Sequence, residues 1–194
     1  MKKAFLVFLC AAAIGTAKAQ VQFGVKAGAN IANIVGEDAE DAKMKIGVNA
    51  GAFARLSIAE SFKIQPEILF STQGAKSEES FAGETFETKM NLSYINVPVM
   101  FQYHTASGFF AETGPQLGIL ASAKMKGEGE SVDIKEDLKS IDFSWGLGVG
   151  YQFAQGFGVN GRYNFGLSNL PDEGDGKLRN GVIQVGVFYV FGGK

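Results

Sequence analysis

Eight charged side chains stand singly in stretches that otherwise alternate apolar residues with small or amide ones: Lys26, Lys45, Arg55, Lys63, Glu67, Glu112, Asp142 and Arg162. Carboxylates placed beside bases can act as a general acid and base. The same groups can line an ion path or neutralise one another. In an enclosed space isolated charges are costly, so Glu67, Glu112 and Asp142 are expected to pair with Arg55, Lys63 and Arg162. The chain supplies little else for catalysis. Its one histidine, His104, would have to complete any Ser-His-Asp arrangement, yet it follows Tyr103 at a turn and reads as an interface residue. Its one cysteine, Cys10, lies in the leader. The acidic stretch Asp172-Glu173-Gly174-Asp175-Gly176 lacks the alternating ligands and closing Glu of a calcium loop. Gly146, Gly148 and Gly150 follow no strand-to-helix turn and are not a phosphate cradle. The expectation is therefore no enzyme, no cofactor and no metal.

Strands must position these residues. In 141–153, Ile141, Phe143, Trp145, Leu147, Val149, Tyr151 and Phe153 occupy every second position, and after a short turn the alternation resumes from Phe157 to Leu167. A period of two is a strand with two unlike faces. Similar patterns run over 21–32, 44–58, 62–75, 90–103, 109–124 and 180–191. Pro66 costs a ladder hydrogen bond and predicts a bulge or irregular pairing there. In 90–103, Leu92 and Tyr94 fall on one parity and Ile95, Val97, Val99 and Phe101 on the other, which predicts a second bulge. The connections alternate long and short, and the long ones (33–43, 76–89, 124–139 and 171–179) read as charged loops.

The polar faces are mostly Gly, Ser and Asn, which suits a crowded interior with the apolar side turned outward. That arrangement predicts an all-β, eight-stranded antiparallel up-and-down transmembrane β-barrel. Two patterns agree. Phe23, Phe62, Phe101, Tyr103, Phe109, Tyr151, Phe153, Phe157, Tyr189 and Phe191 all fall at the short-turn ends of strands, as a periplasmic-side interfacial girdle requires. Sixteen of the 20 acidic residues fall in the long connections. A charge on the lipid face would cost roughly 2–4 kcal/mol at mid-depth.

Met1-Lys2-Lys3, the apolar run from Ala4 to Ile14 and Ala17-Lys18-Ala19 read as a signal peptide over 1–19, leaving 20–194 as one barrel domain. A lipoprotein leader ending at Cys10 is disfavoured, because Leu9 is too bulky for the preceding position. Residues 20–194 hold 15 basic and 20 acidic side chains, a balance that gives no footprint for nucleic acid.

Gln65-Pro66-Glu67-Ile68-Leu69-Phe70 leading to Gln73-Gly74-Ala75, Tyr94-Ile95-Asn96-Val97-Pro98, Gly114-Pro115-Gln116-Leu117-Gly118 and Arg162-Tyr163-Asn164-Phe165-Gly166-Leu167 resemble signature segments of PorT-like outer-membrane β-barrel proteins, often labelled "porin family". The architecture is similar to the small OmpX and OmpA barrels. The resemblance implies the outer membrane as location and lipid as the first partner, with the barrel-assembly machinery delivering the chain. It carries over no catalytic motif. A monomer with a filled core and a structural or surface-contact role is expected. The alternatives are a narrow transport pore or an accessory to a secretion or uptake complex. Any external partner stays unassigned. The tail Gly192-Gly193-Lys194 departs from the terminal aromatic common in barrel proteins.

Overall fold

A computed structural model of the protein describes residues 21–36, 39, 42–81, 84–127, 130–171 and 178–192. Residues 1–20, which include the expected signal peptide, residues 172–177 of the acidic stretch and the Gly193-Lys194 tail lie outside the described residues. The strands are β1 (Val21–Gly36), β2 (Lys43–Ser57), β3 (Phe62–Phe81), β4 (Glu84–His104), β5 (Phe109–Gly127), β6 (Glu130–Asp133), β7 (Ile141–Gln152), β8 (Phe157–Gly166) and β9 (Leu178–Val190). Every pairing is antiparallel. The ring runs β1-β2-β3-β4-β5-β7-β8-β9 and closes where β9 returns to β1, so eight strands form the barrel. Strand β6 lies outside the ring, paired only to the end of β5.

The alternation sets which face each side chain takes. In β7, Ile141, Phe143, Trp145, Leu147 and Val149 are exposed on the outside, while Asp142, Ser144, Gly146, Gly148 and Gly150 are buried inside. Such an apolar exterior has no use in water and belongs in hydrocarbon. Trp145, the sole tryptophan, is 43% exposed on that face, and its Nε1 donates to Thr113 Oγ1 at 2.8 Å. Its fluorescence is expected to shift to the blue when the protein enters vesicles and to be quenched by bromines carried on lipid chains. Emission that stayed red and unquenched would place the outer face in water.

Two expectations need correction. The 76–89 segment is not a loop: β3 and β4 continue in register from Lys76↔Lys89 to Phe81↔Glu84. Thr85, Phe86 and Thr88 support extended backbone, and the charged residues there mask the period. Strand β4 has no phase change. Leu92, Tyr94, Asn96, Gln102 and His104 all point inward, and it is the chemistry of the inward face that changes from polar to apolar. The extra residue belongs to β5, where the partners step from Tyr94↔Leu120 to Ser93↔Ser122 around Ala121. At Pro66 the pairing is irregular, as expected, without a bulge: toward β2 it skips from Phe53↔Glu67 to Leu56↔Ile64 with the register unchanged, since the missing N–H removes a bond without adding a residue.

Candidate functional site

The barrel interior gathers the charged residues, and its layers can be taken from the short-turn end upward. Phe53, Phe110 and Phe188 point inward from β2, β5 and β9. Each stands directly across from a glycine on the neighbouring strand: Phe53 from Gly24, Phe110 from Gly150 and Phe188 from Gly158. A Cβ at any of the three glycines would run into the opposite ring, so the missing side chain is the slot in which the ring lies. Phe188 meets Phe53 edge-on at 6.2 Å and Phe110 at 5.9 Å between centroids. The Arg55 guanidinium lies over Phe53, Phe188 and Phe110 at 5.3, 5.5 and 6.0 Å. Its Nε donates to Gln65 Oε1 at 2.7 Å and its Nη1 to Gln152 Oε1 at 2.6 Å. Outside this layer lies a mouth of about 310 Å³, lined in part by Lys63, His104 and Gln152.

Above the rings lies a charge cluster. Arg162, 2% exposed, donates from Nη2 and Nη1 to Glu67 Oε1 and Oε2 at 2.7 and 3.1 Å, and from Nε to Glu112 Oε1 at 2.8 Å. Lys26 Nζ reaches Glu67 Oε2 at 3.3 Å. Gln65 and Gln102 donate to Glu67 and Glu112, each at 2.8 Å. Two cations and two carboxylates balance. With the amide donors they come near to satisfying one another, which a low-dielectric interior requires. Opposite β8 and β5, Gly148 leaves the room in which Glu112 and Arg162 meet.

Next come amides. Asn30 Nδ2 donates to Ser71 Oγ and Thr72 O, both at 2.9 Å, and its Oδ1 accepts from Asn49 at 2.6 Å. On the other wall, Asp142 Oδ2 accepts from Asn180 at 3.1 Å. Buried polar atoms of Asn96, Gln116, Asp142, Asn164 and Gln184 have no protein partner, and groups of this kind are satisfied by enclosed water. At the long-connection end an apolar cap of Ile34, Leu92, Tyr94, Leu120 and Leu170 is packed by Ile134 and Leu138 from the segment between β6 and β7.

The eight charged residues therefore separate. Lys26, Glu67, Glu112 and Arg162 form one cluster. The expected pairing is corrected in three places. Arg55 is held by amide oxygens and aromatic faces, not by a carboxylate. Asp142 is bonded to Asn180, because the stagger of β7 lifts it a full layer above the bases. Lys63 forms no ion pair among the described residues and lines the mouth, on the same strand as Glu67 but nearer the short-turn end. Lys45 donates to the Gln73 carbonyl at 3.1 Å. The partner missed from sequence is Lys26. His104 is also corrected: it points inward and stacks on Phe110 at 4.9 Å, sharing a hydrogen bond with Gln102.

The aromatic set at the short-turn end lies outside. Phe62 pairs across strands with Tyr103, Phe109 with Tyr151 and Phe157 with Tyr189. Phe23, Phe101, Phe153 and Phe191 are exposed at the same level. Their rings touch in tilted or edge-on contacts, as in Phe157–Tyr189 at 4.7 Å and Tyr151–Phe153 at 5.1 Å.

Residues 16–172 match the sequence model of a family described as outer membrane protein beta-barrel domain. No curated protein sequence matches. Among solved structures, Neisserial surface protein A aligns with a TM-score of 0.57 at 18% identity, over 86% of this chain and 96% of that one. Ail, the attachment invasion locus protein of Yersinia pestis, aligns with a TM-score of 0.50 at 15% identity, over 88% and 98%. Ail also aligns, with the same TM-score, in its complex with the heparin analogue sucrose octasulfate. At these identities the likeness is one of fold.

Proposed function

Since the chain belongs to the outer membrane protein beta-barrel domain family, an outer-membrane barrel is the premise, and we propose that this one is a sealed, non-enzymatic barrel that acts through its walls and its external end. The observation that carries the reading is the layer in which Phe53, Phe110 and Phe188 meet across the lumen around Arg55. An eight-stranded barrel has just the width that side chains fill. Here they fill it with rings at one end, a neutral ion cluster in the middle and an apolar cap at the other. An ion would have to displace at least the ring layer and the cluster. Glu67 and Glu112 are taken up by Arg162, Lys26 and amide donors, with no nucleophile beside them among the described residues, so their role here is structural.

The external end supports a surface-contact role. The β3–β4 hairpin and the β5–β6 pair carry sheet beyond the ring, offering ordered backbone to whatever the surface meets. The fold neighbours are named as a surface protein and an attachment protein, which agrees with this reading. The finer likeness to PorT-like proteins would make the barrel an accessory to an envelope complex, and an accessory also works by contact without conduction.

Conductance across a planar bilayer tests the seal. The refolded protein is expected to give no steady openings, with folding verified in the same sample by faster gel migration unboiled than boiled. Reproducible openings that vanish in Glu67→Ala would make the ion cluster a path and the barrel a narrow pore.

A further inference from the structure

Four lysines stand in one cross-strand row at the external end, and the first, Lys43 of β2 across from Lys76, is paired with Glu78. Lys76 of β3 is the partner of Lys89 of β4, and Lys89 is the partner of Lys126 of β5. Lys124 stands one outward row below, across from Asn91. Cross-strand partners share a face, and alternation fixes which one. Lys89 has the parity of Ile95, Phe101 and Tyr103, which are turned outward, and the opposite parity of Leu92 and Tyr94, which are buried. The row therefore looks out from the barrel wall.

Its height is specific. With a strand rise of about 3.4 Å and a tilt of about 40°, the outward residues from Tyr103 to Ser93 span roughly 25 Å, the thickness of the apolar band. On the same geometry Asn91 and Lys124 lie roughly 5 Å above that band, and Lys89 with its partners roughly 10 Å above it. That is the layer where headgroups lie.

Like charges placed directly opposite weaken a sheet, so a bare row of three lysines is unfavourable unless anions meet it. The protein supplies only part of the answer. Glu87 pairs with Lys89 and, at 3.6 Å, with Lys76. The hydrogen bond from Lys89 holds the Glu87 carboxyl below the usual carboxylate range, so it stays ionised. Glu78 is taken by Lys43 at 2.7 Å. Among the described residues, Lys124 and Lys126 form no ion pair. The Glu78↔Glu87 pair lies on the far side of the lysines, further from the membrane, and Asp133 of β6 stands across from Lys124.

We propose that the outward row Lys76, Lys89 and Lys126, with Lys124 beneath it, binds the phosphates of phosphorylated lipid headgroups in the external leaflet. The proposal rests on the outer-membrane reading. Ammonium groups at this spacing act as point charges toward phosphate oxygens. Their outward aim favours the surrounding leaflet over a soluble polyanion arriving from above.

The test compares the full mature protein with a Lys76→Gln, Lys89→Gln, Lys124→Gln, Lys126→Gln variant, both folded in neutral detergent micelles and checked by unboiled migration. The micelles carry a trace of fluorescent bis-phosphorylated lipid A, and the lipid retained by each protein is measured. The wild type is expected to retain at least about tenfold more than the variant, with the difference shrinking as salt is raised. A variant with Arg at all four positions should retain the lipid. Equal retention by wild type and the Gln variant would overturn the proposal. So would retention of a soluble sulfated oligosaccharide by the wild type without enrichment of lipid A, which would assign the row to a soluble polyanion. Recovery of folded protein without any detergent is a separate outcome: it would overturn the membrane reading itself.

Discussion

Arg162→Ala is expected to lower the stability of the folded barrel by roughly 3–5 kcal/mol, the range for removing one partner of a buried ion pair. The guanidinium makes three hydrogen bonds to two carboxylates that are almost wholly buried. Without it, Lys26 alone faces Glu67 and Glu112, and one negative charge is stranded. The cost would appear as a lower urea midpoint for loss of the fast-migrating form in detergent. The same substitution in a Glu67→Gln, Glu112→Gln background should cost far less, because the penalty comes from unpaired charge and not from the lost side chain. If Arg162→Ala costs under about 1 kcal/mol in the wild type, the cluster is wet enough for water to replace the guanidinium, and it does not help to close the lumen.

The second large effect concerns a glycine. In Gly158→Val the new Cβ would occupy the place of the Phe188 ring, which in turn abuts Phe53, Phe110 and Arg55. Overpacking of this kind costs roughly 1–3 kcal/mol. Phe188→Ala alone should cost roughly 3–5 kcal/mol, since the vacated slot is backed by the bare Gly158 backbone. The two together should cost clearly less than the sum, with the valine refilling part of the slot. Urea titration of the four proteins of that cycle measures the coupling. Strict additivity would mean that ring and glycine do not share one space.

Strand positions, ring order and the outward face were legible because a period of two survives in one sequence without knowledge of any partner. The girdle was legible for the same reason, since Phe62, Tyr103, Phe109 and Tyr151 mark strand ends whatever their register. The interior was only partly legible. Lys26 and Lys63 look alike in sequence. The stagger between strands, which no local pattern records, sends one to Glu67 and the other to the mouth. Phe110 and Phe188 were hidden beside the outward Phe109 and Tyr189, so their inward turn vanished into an aromatic pair. Phe53 shares its parity in sequence with the polar Lys45, Asn49 and Arg55, but its meaning needs the pairing with Gly24. The apolar cap was missed because Ile134, Leu138 and Leu170 belong to segments without a period.

The return of β9 to β1 also governs the order in which the molecule is made. Phe191 N donates to Phe23 O at 2.8 Å, joining the last stretch of chain to the first. Contacts across so much intervening chain carry the largest loop-closure entropy and are expected to form last. Strand β9 also brings Phe188, one of the three rings of the aromatic layer, and Val190, which packs with them. Until it docks, β1 and β8 are open edges, and Phe53 and Phe110 have no third ring between them. Closing the cylinder and sealing it are thus expected to be a single late event.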